Sequence, residues 1–286
     1  MPDHPPFDPA AIQQHVAADM GREADAIMRS GTYRSRSGRY VSIQDSIRRS
    51  VRGTVYYQPD SSIEPGPPQE HETIVEVRNE STTAAARRLL RDDLYPVALN
   101  FASGTRPGGG YEAGARAQEE SLARSSALVA CLQNAAEFYA LHRELNDPLF
   151  SDAMIYSPDV PFFRGRDHQL LDEPYHLSVI TAAAPRADYL DGRGEEIIAA
   201  FERRIRRIFE IARENEHDSL VLGAWGCGAY RNDPLLVAEL FRESIEEHAL
   251  GAFRHIAFAI LDHTDERRFI APFDRALEPL QNSPTS

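Results

Sequence analysis

From Glu72 onward the chain alternates between apolar, β-prone runs and stretches of helical periodicity, and that alternation restricts the fold more than any other feature. Strands are expected at Thr73–Val77, Pro96–Phe101, Ala153–Tyr156, Leu177–Ala182, Leu220–Ala224 and Ile256–Leu261. Helices are expected at Thr82–Arg91, Ala117–Leu145 (broken once), Glu195–Glu214 and Pro234–His248. Elements in this order bury their apolar faces as layers, so the fold class is α/β with a largely parallel or mixed central sheet. Ligands of such sheets sit at the carboxyl ends of the strands, and both glycine-rich segments of this chain fall there.

The first 70 residues differ. Pro9 to Ser30 has Ile12, Val16, Met20 and Ile27 near helical spacing and Gly31 as a stop. A hairpin turning at Ser37-Gly38, a helix around Ser42–Arg52 and a strand at Thr54–Tyr57 follow. Gln58–Gln69 contains Pro59, Pro65, Pro67 and Pro68 and reads as a linker or long surface loop. Residues 1–70 are therefore expected to form an extension packed on a core at 71–280, with Gln281–Ser286 frayed.

A length of 286 residues suffices for one large domain, and no apolar run is long enough to span a bilayer. The N-terminus, MPDHPPFDPA, lacks the pattern of a secretory signal, so a cytoplasmic location is expected. Cys131 and Cys227 form no metal-ligand spacing, and neither a zinc site nor a disulfide is expected. The formal charge of -13 disfavours general nucleic-acid binding. All 31 basic residues are arginine, so no lysine can serve a P-loop or a Schiff base. A grip on phosphate must come from arginine or from backbone N–H groups.

The strand VALNF runs into ASGTRPGGGYEAGARAQEE. Gly108, Gly109 and Gly110 remove every side chain from three consecutive positions, which lets N–H groups approach a diphosphate; a flexible loop without a ligand is the plainer alternative. Gln118, Glu119 and Glu120 then open an apolar helix. Glutamates in a first turn also suit the helix dipole. Two carboxylates beside a phosphate cradle nevertheless crowd negative charge, which raises the pKa of at least one and equips it as a general acid. Neighbours on a helix point about 100° apart. Glu119 and Glu120 therefore cannot flank one bond from opposite faces; one does the chemistry and the other orients the substrate.

The second segment, SLVLGAWGCGAYRNDP, places Gly223, Gly226 and Gly228 around Trp225 and ends at Tyr230. It is either a tight strand–helix turn with Trp225 in the core or a second anion-binding loop, with Tyr230 facing a sugar or base. Asn232-Asp233-Pro234 starts the next helix.

GGG, seven residues and QEE, together with NFAS and GAWGCGAYRND, resemble the signature of the microbial branch of the poly(ADP-ribose) glycohydrolases, which are macrodomain proteins. The resemblance covers most of residues 72–262. It implies a macrodomain-like three-layer α/β/α core with a mixed sheet. It also implies hydrolysis of the ribose–ribose O-glycosidic bond of poly(ADP-ribose) to release ADP-ribose. Carried onto this chain, Glu120 is the general acid and then base, and Glu119 holds ribose hydroxyls. Gly108–Gly110 and Gly226–Tyr230 enclose the distal ribose and diphosphate. The ADP-ribose-binding set is then Asn100, Ser103, Gly108, Gly109, Gly110, Gln118, Gly223, Ala224, Trp225, Gly226, Cys227, Gly228, Ala229 and Tyr230. Ser103 stands where the eukaryotic branch typically has asparagine. By position, Glu80 and Asp262 are candidates for the adenine end, with a helix cap and an exposed loop as their plainer alternatives.

The implied partners are poly(ADP-ribose), ADP-ribose and ADP-ribosylated proteins; no cofactor, metal, membrane or nucleic-acid partner is expected, and the protein is expected to be a monomer. Alternatives are a mono-ADP-ribosyl hydrolase and a non-catalytic ADP-ribose-binding macrodomain, the latter having no need of the QEE pair.

Overall fold

The computed structural model describes residues 12–64, 66, 67 and 69–281. The N-terminal decapeptide, the expected helix start at Pro9, Pro65 and Pro68 of the loop, and the residues after Gln281 that were expected to fray lie outside those residues.

Helix α1 (Gln14–Ser30) closes at Gly31, whose φ of 69° supplies the left-handed C-cap. The hairpin β1 (Thr32–Arg34) and β2 (Tyr40–Ser42), helix α2 (Gln44–Gly53) and strand β3 (Val55–Tyr57) follow. Next come β4 (Ile74–Arg78), α3 (Thr82–Arg91), β5 (Pro96–Phe101), α4 (Gln118–Ser125), α5 (Leu128–Asn134) and α6 (Ala136–Leu145). The chain continues through β6 (Met154–Arg164), β7 (Leu170–Ala182), α7 (Gly194–Glu214), β8 (Ser219–Leu222), α8 (Pro234–His248), β9 (His255–Ala259) and α9 (Ile270–Gln281).

Seven strands form one mixed sheet in the order β3-β6-β7-β5-β8-β9-β4. β7, β5, β8, β9 and β4 run parallel, while β6 pairs antiparallel with both β3 and β7. Strand residues alternate between two cores, as the pleat requires. Val97, Leu99, Leu220 and Leu222 pack under α7, α8 and α9, whereas Ala98 and Val221 pack under α3, α5 and α6. This is the expected three-layer α/β/α arrangement. It brings the carboxyl ends of β5, β8 and β9 to one rim.

Four expectations need correction. Val16 is 40% exposed, because α1 buries the stripe Ala17, Met20, Gly21, Ala24 and Ile27 instead. The helical run 117–145 breaks twice, at Ser126, which bridges to Phe162, and at Ala135. β6 and β7 are a long hairpin rather than two short strands; Pro158 does not end β6 because it falls at the register shift between Ser157 and Val160. α9 was not expected; Asp262 Oδ2 starts it by accepting from the N–H groups of Phe269 and Ile270. The sheet itself spans both sides of residue 70, since β3 is its edge strand. The proline loop lies on α7, where Arg207 donates to the carbonyl of Ser61 at 2.9 Å.

Candidate active site

A cleft of about 580 Å³ opens at the carboxyl rim of the sheet, between the loop after β5 and the loop after β8. Of the expected set, Ser103, Gly109, Gly110, Gln118, Glu119, Glu120, Ala224, Trp225, Gly226, Gly228, Ala229 and Tyr230 border it. Asn100, Gly108, Gly223 and Cys227 sit behind its wall.

The two glutamates point at the glycine loop. Gly110 donates its N–H to Oε1 of Glu120 at 2.9 Å, and Ser103 donates its N–H to Oε2 of Glu119 at 2.7 Å. A Cβ on Gly109 would lie 2.3 Å from Glu120 Oε1 and 2.9 Å from Glu119 Oε2, and its φ is +61°. Gly109 is therefore needed for close approach to the protein's own carboxylates, and Gly110 does not leave its N–H open for a phosphate. Glu119 Oε1 and Glu120 Oε2 are buried without a protein partner. Burial pushes the Glu119 carboxyl up to about 8; the N–H of Ser103 opposes that rise and the Glu120 charge adds to it. Crowding had been expected to raise at least one pKa, and the raised group is the one assigned to orientation. Beneath the pair, burial lowers the Arg124 guanidinium to about 10 against the attraction of Glu120.

Several expected ligand residues instead build the site. Gln118 spends its amide on the end of β5, accepting from Phe101 N at 3.0 Å and donating to Leu99 O at 2.7 Å. Ser103 Oγ accepts from the N–H groups of Thr105 and Arg106 and so shapes the loop. Asn100 is fully buried and donates to Thr181 Oγ1 at 3.2 Å. The Trp225 indole is in the core, edge-on to Phe201 and donating to Ala182 O. Cys227 is a buried thiol that donates to Trp225 O, and a Cβ on Gly223 would lie 2.7 Å from Ala259 O.

The second loop supplies the open donors. Among the described residues, the N–H groups of Gly226, Gly228, Ala229 and Tyr230 make no hydrogen bond to protein. Consecutive N–H groups free in a turn form an anion-binding nest. Gly226 takes a φ of +76°, and a Cβ there would lie 2.6 Å from Asn232 Nδ2. Asn232 holds the loop from behind by donating to Pro185 O at 2.8 Å and Gly226 O at 3.0 Å. Asp233 caps α8 through Leu235 N, with Pro234 in its first turn.

Of the adenine candidates, Glu80 borders the cleft and pairs with Arg88 at 2.7 Å. It is not the helix cap, which is Ser81. Asp262 is buried rather than exposed, and its carboxylate accepts from Thr264, Phe269 and Ile270, so it holds the loop before α9.

The family described as microbial-type PARG, catalytic domain, matches residues 22–165. The poly(ADP-ribose) glycohydrolase of Thermomonospora curvata is 39% identical and superposes with a TM-score of 0.84 over 92% of this chain and 99% of that one. The chain belongs to the microbial-type poly(ADP-ribose) glycohydrolase family. Like other members it is a glycosidase with an α/β macrodomain-like fold. A structure of the Thermomonospora curvata glycohydrolase bound to the inhibitor ADP-HPD matches with a TM-score of 0.83, at 39% identity over 91% of this chain and 99% of that one. The Deinococcus radiodurans glycohydrolase in complex with ADP-ribose matches with a TM-score of 0.74, at 38% identity over 82% of this chain and 98% of that one. Among curated proteins none matches this chain. No helix among the described residues is long and apolar enough to cross a membrane.

In this glycohydrolase the cleft is also lined by residues the sequence did not mark: Thr82, Arg106, Arg116, Phe150, Arg186 and Phe269. They come from five different segments, with Arg106 and Arg116 sharing the loop between β5 and α4, so no local motif joins all of them. Only Arg106 and Arg116 lie within the recognised stretch, where their charge beside paired glutamates was the available signal.

Proposed function

We propose that this chain hydrolyses the ribose–ribose O-glycosidic bond of poly(ADP-ribose) with Glu120 as general acid and then general base. The observation that carries the assignment is the fixing of Glu120. One carboxylate oxygen is held by the Gly110 N–H and the other, Oε2, has no protein partner. Glu120 is also the more accessible of the pair, at 8% against 3% exposure for Glu119.

In this reading the diphosphate of the bound ADP-ribose unit rests on the N–H nest of the second loop. Its distal ribose then lies over the glutamates. Glu120 passes a proton to the leaving 2′-oxygen as the bond from C1″ breaks. The oxocarbenium-like centre at C1″ is stabilised by the nearby diphosphate, a term strengthened in a site poor in water. The Glu120 carboxylate then takes a proton from water as the water oxygen bonds to C1″, restoring the acid and releasing ADP-ribose. Glu119, anchored by Ser103, accepts or donates a hydrogen bond to the ribose hydroxyls. The chain's own residues supply every proton transfer in this scheme, with no cofactor.

Residues 71–280 form the catalytic core in this proposal, and residues 1–70 complete its sheet edge and brace its loop. We place the protein in the cytoplasm as a monomer acting on polymer carried by ADP-ribosylated proteins. Both cysteines are free and buried, which suits a reducing compartment.

A second reading exchanges the glutamates, and the raised pKa of Glu119 favours it, because a carboxyl protonated up to about 8 is a ready acid at neutral pH. Glu120→Gln and Glu119→Gln, assayed on poly(ADP-ribose) and on a mono-ADP-ribosylated protein, separate the two. Glu120→Gln is expected to lose roughly 10²–10⁴-fold in kcat while binding ADP-ribose normally. Substantial turnover by Glu120→Gln with none by Glu119→Gln would transfer the acid role. Turnover of the mono-modified protein alone would overturn the polymer as substrate.

A further inference from the structure

We infer that a tyrosine–arginine–tyrosine stack beside the cleft is a second base-binding platform, which takes the adenine of the leaving unit of the polymer. This rests on the glycohydrolase reading. The oxygen released in that reaction is the 2′-oxygen of an adenosine ribose, and an adenine hangs from the adjacent carbon of the same sugar. The leaving side of the substrate therefore brings a purine ring within one sugar of the scissile bond. None of the groups assigned to the reaction contacts that ring.

Arg186 borders the same cleft as Glu120 and belongs to the loop after β7. Its guanidinium carbon lies 4.3 Å from the ring centroid of Tyr189 and 5.2 Å from that of Tyr230. Asp188 accepts from Arg186 Nη2 at 3.0 Å and from Nε at 3.4 Å, which fixes the guanidinium plane and offsets its charge. The stack is accordingly suited to a flat, neutral base rather than to a phosphate. Its loop is pinned: Arg186 N donates to Pro148 O at 2.9 Å and Asp188 N to Tyr230 O at 3.3 Å. Tyr230, inside the cleft, is half-buried, whereas Tyr189 is 65% exposed. An exposed ring on a fixed loop, continuous through Arg186 with the cleft, presents a stacking face to the leaving nucleotide at little ordering cost. Base–aromatic stacking of this kind tolerates any flanking chemistry and adds affinity for each base held.

The test compares wild type with Tyr189→Ala and Tyr189→Phe. Steady-state kinetics on poly(ADP-ribose) give kcat/KM, and calorimetry gives the affinity for ADP-ribose. Tyr189→Ala is expected to lower kcat/KM on the polymer about tenfold, through KM, with ADP-ribose affinity unchanged. Tyr189→Phe is expected to keep wild-type kinetics, because the ring and not the hydroxyl does the stacking. Unchanged kcat/KM in Tyr189→Ala overturns the platform and leaves the ring to a protein contact. A parallel loss of ADP-ribose affinity overturns it too, since the residue would then only shape the cleft, and so does an equal loss in Tyr189→Phe. A wild type that binds ADP-ribose but leaves the polymer intact refutes the glycohydrolase reading itself and this inference with it.

Discussion

Gly110 holds Glu120: the backbone N–H of the third glycine in the triplet donates to Oε1 of the second glutamate at 2.9 Å. The same carboxylate oxygen would lie 2.3 Å from a Cβ on Gly109. Loop and glutamate are thus one unit, closed across ten residues of chain. Gly109 leaves room for the carboxylates, and Glu120 fixes Gly110.

Gly109→Ala should expose that coupling. The methyl group overlaps both carboxylates, and the backbone at φ +61° resists any side chain. The glutamates must move to relieve the overlap, and a displacement near 1 Å at a catalytic group costs about 100-fold in rate. The variant should keep a wild-type circular dichroism spectrum and lose activity on poly(ADP-ribose) by about that factor. Near-normal kcat would show that the loop is free of the pair.

Stability should carry the signature of Glu119. Burial raises its folded-state pKa from 4.5 to about 8. The folded protein keeps a proton that the unfolded chain gives up near pH 4.5, so this group's contribution to stability falls as pH rises from there through about 8. Glu119→Gln removes the dependence. Its Tm relative to wild type should be nearly level at pH 4 and several degrees higher at pH 8 to 9. A difference in Tm that stays constant across that range would refute the assignment.

The first helix should matter to turnover. Gly21 of α1 lies so close to the loop that a Cβ would be 2.7 Å from Tyr111 O, and the Tyr111 hydroxyl donates to Asp25. Gln14 and Arg116 add bonds between the same two segments. Asp25→Ala should lower kcat several-fold while ADP-ribose affinity, which the proposed function assigns to the second loop, stays near wild type. Calorimetry alongside initial rates would show this, and an equal loss of affinity would count against a bracing role.

Arg204 should be among the most sensitive structural positions. It is 1% exposed, pairs with Asp152 at 2.8 Å and donates to the carbonyls of Ala183 and Leu149. Arg204→Ala leaves those groups unpaired and should cost about 3 kcal/mol in denaturant unfolding. A loss under 1 kcal/mol would mean that water or Arg203, which also pairs with Asp152, replaces it.

The elements read most accurately are those whose signals are local. Thr82–Arg91, Pro96–Phe101 and Pro234–His248 occur with the expected bounds, since a cap, a continuous apolar run or a proline start marks each end. The expected strands at 153–156 and 177–182 cover only parts of β6 and β7, and the register shift between Ser157 and Val160 shows how β6 continues past Pro158. α9 was missed because the residue that starts it, Asp262, lies eight positions upstream of Ile270.

The sequence by itself determined the layered α/β fold, the two loops at the strand ends and the pair Glu119 and Glu120, because periodicity and a contiguous motif are properties of neighbours in the chain. Tertiary structure alone decided which loop has open donors. Gly110 N–H is occupied by Glu120, ten residues on, whereas Gly226, Gly228, Ala229 and Tyr230 keep theirs. It likewise decided that Gln118 and Trp225 support the site from within and that burial raises the pKa of Glu119. Burial and hydrogen-bond partners are set by segments far apart in sequence, and they fix both a donor's availability and a carboxyl's charge.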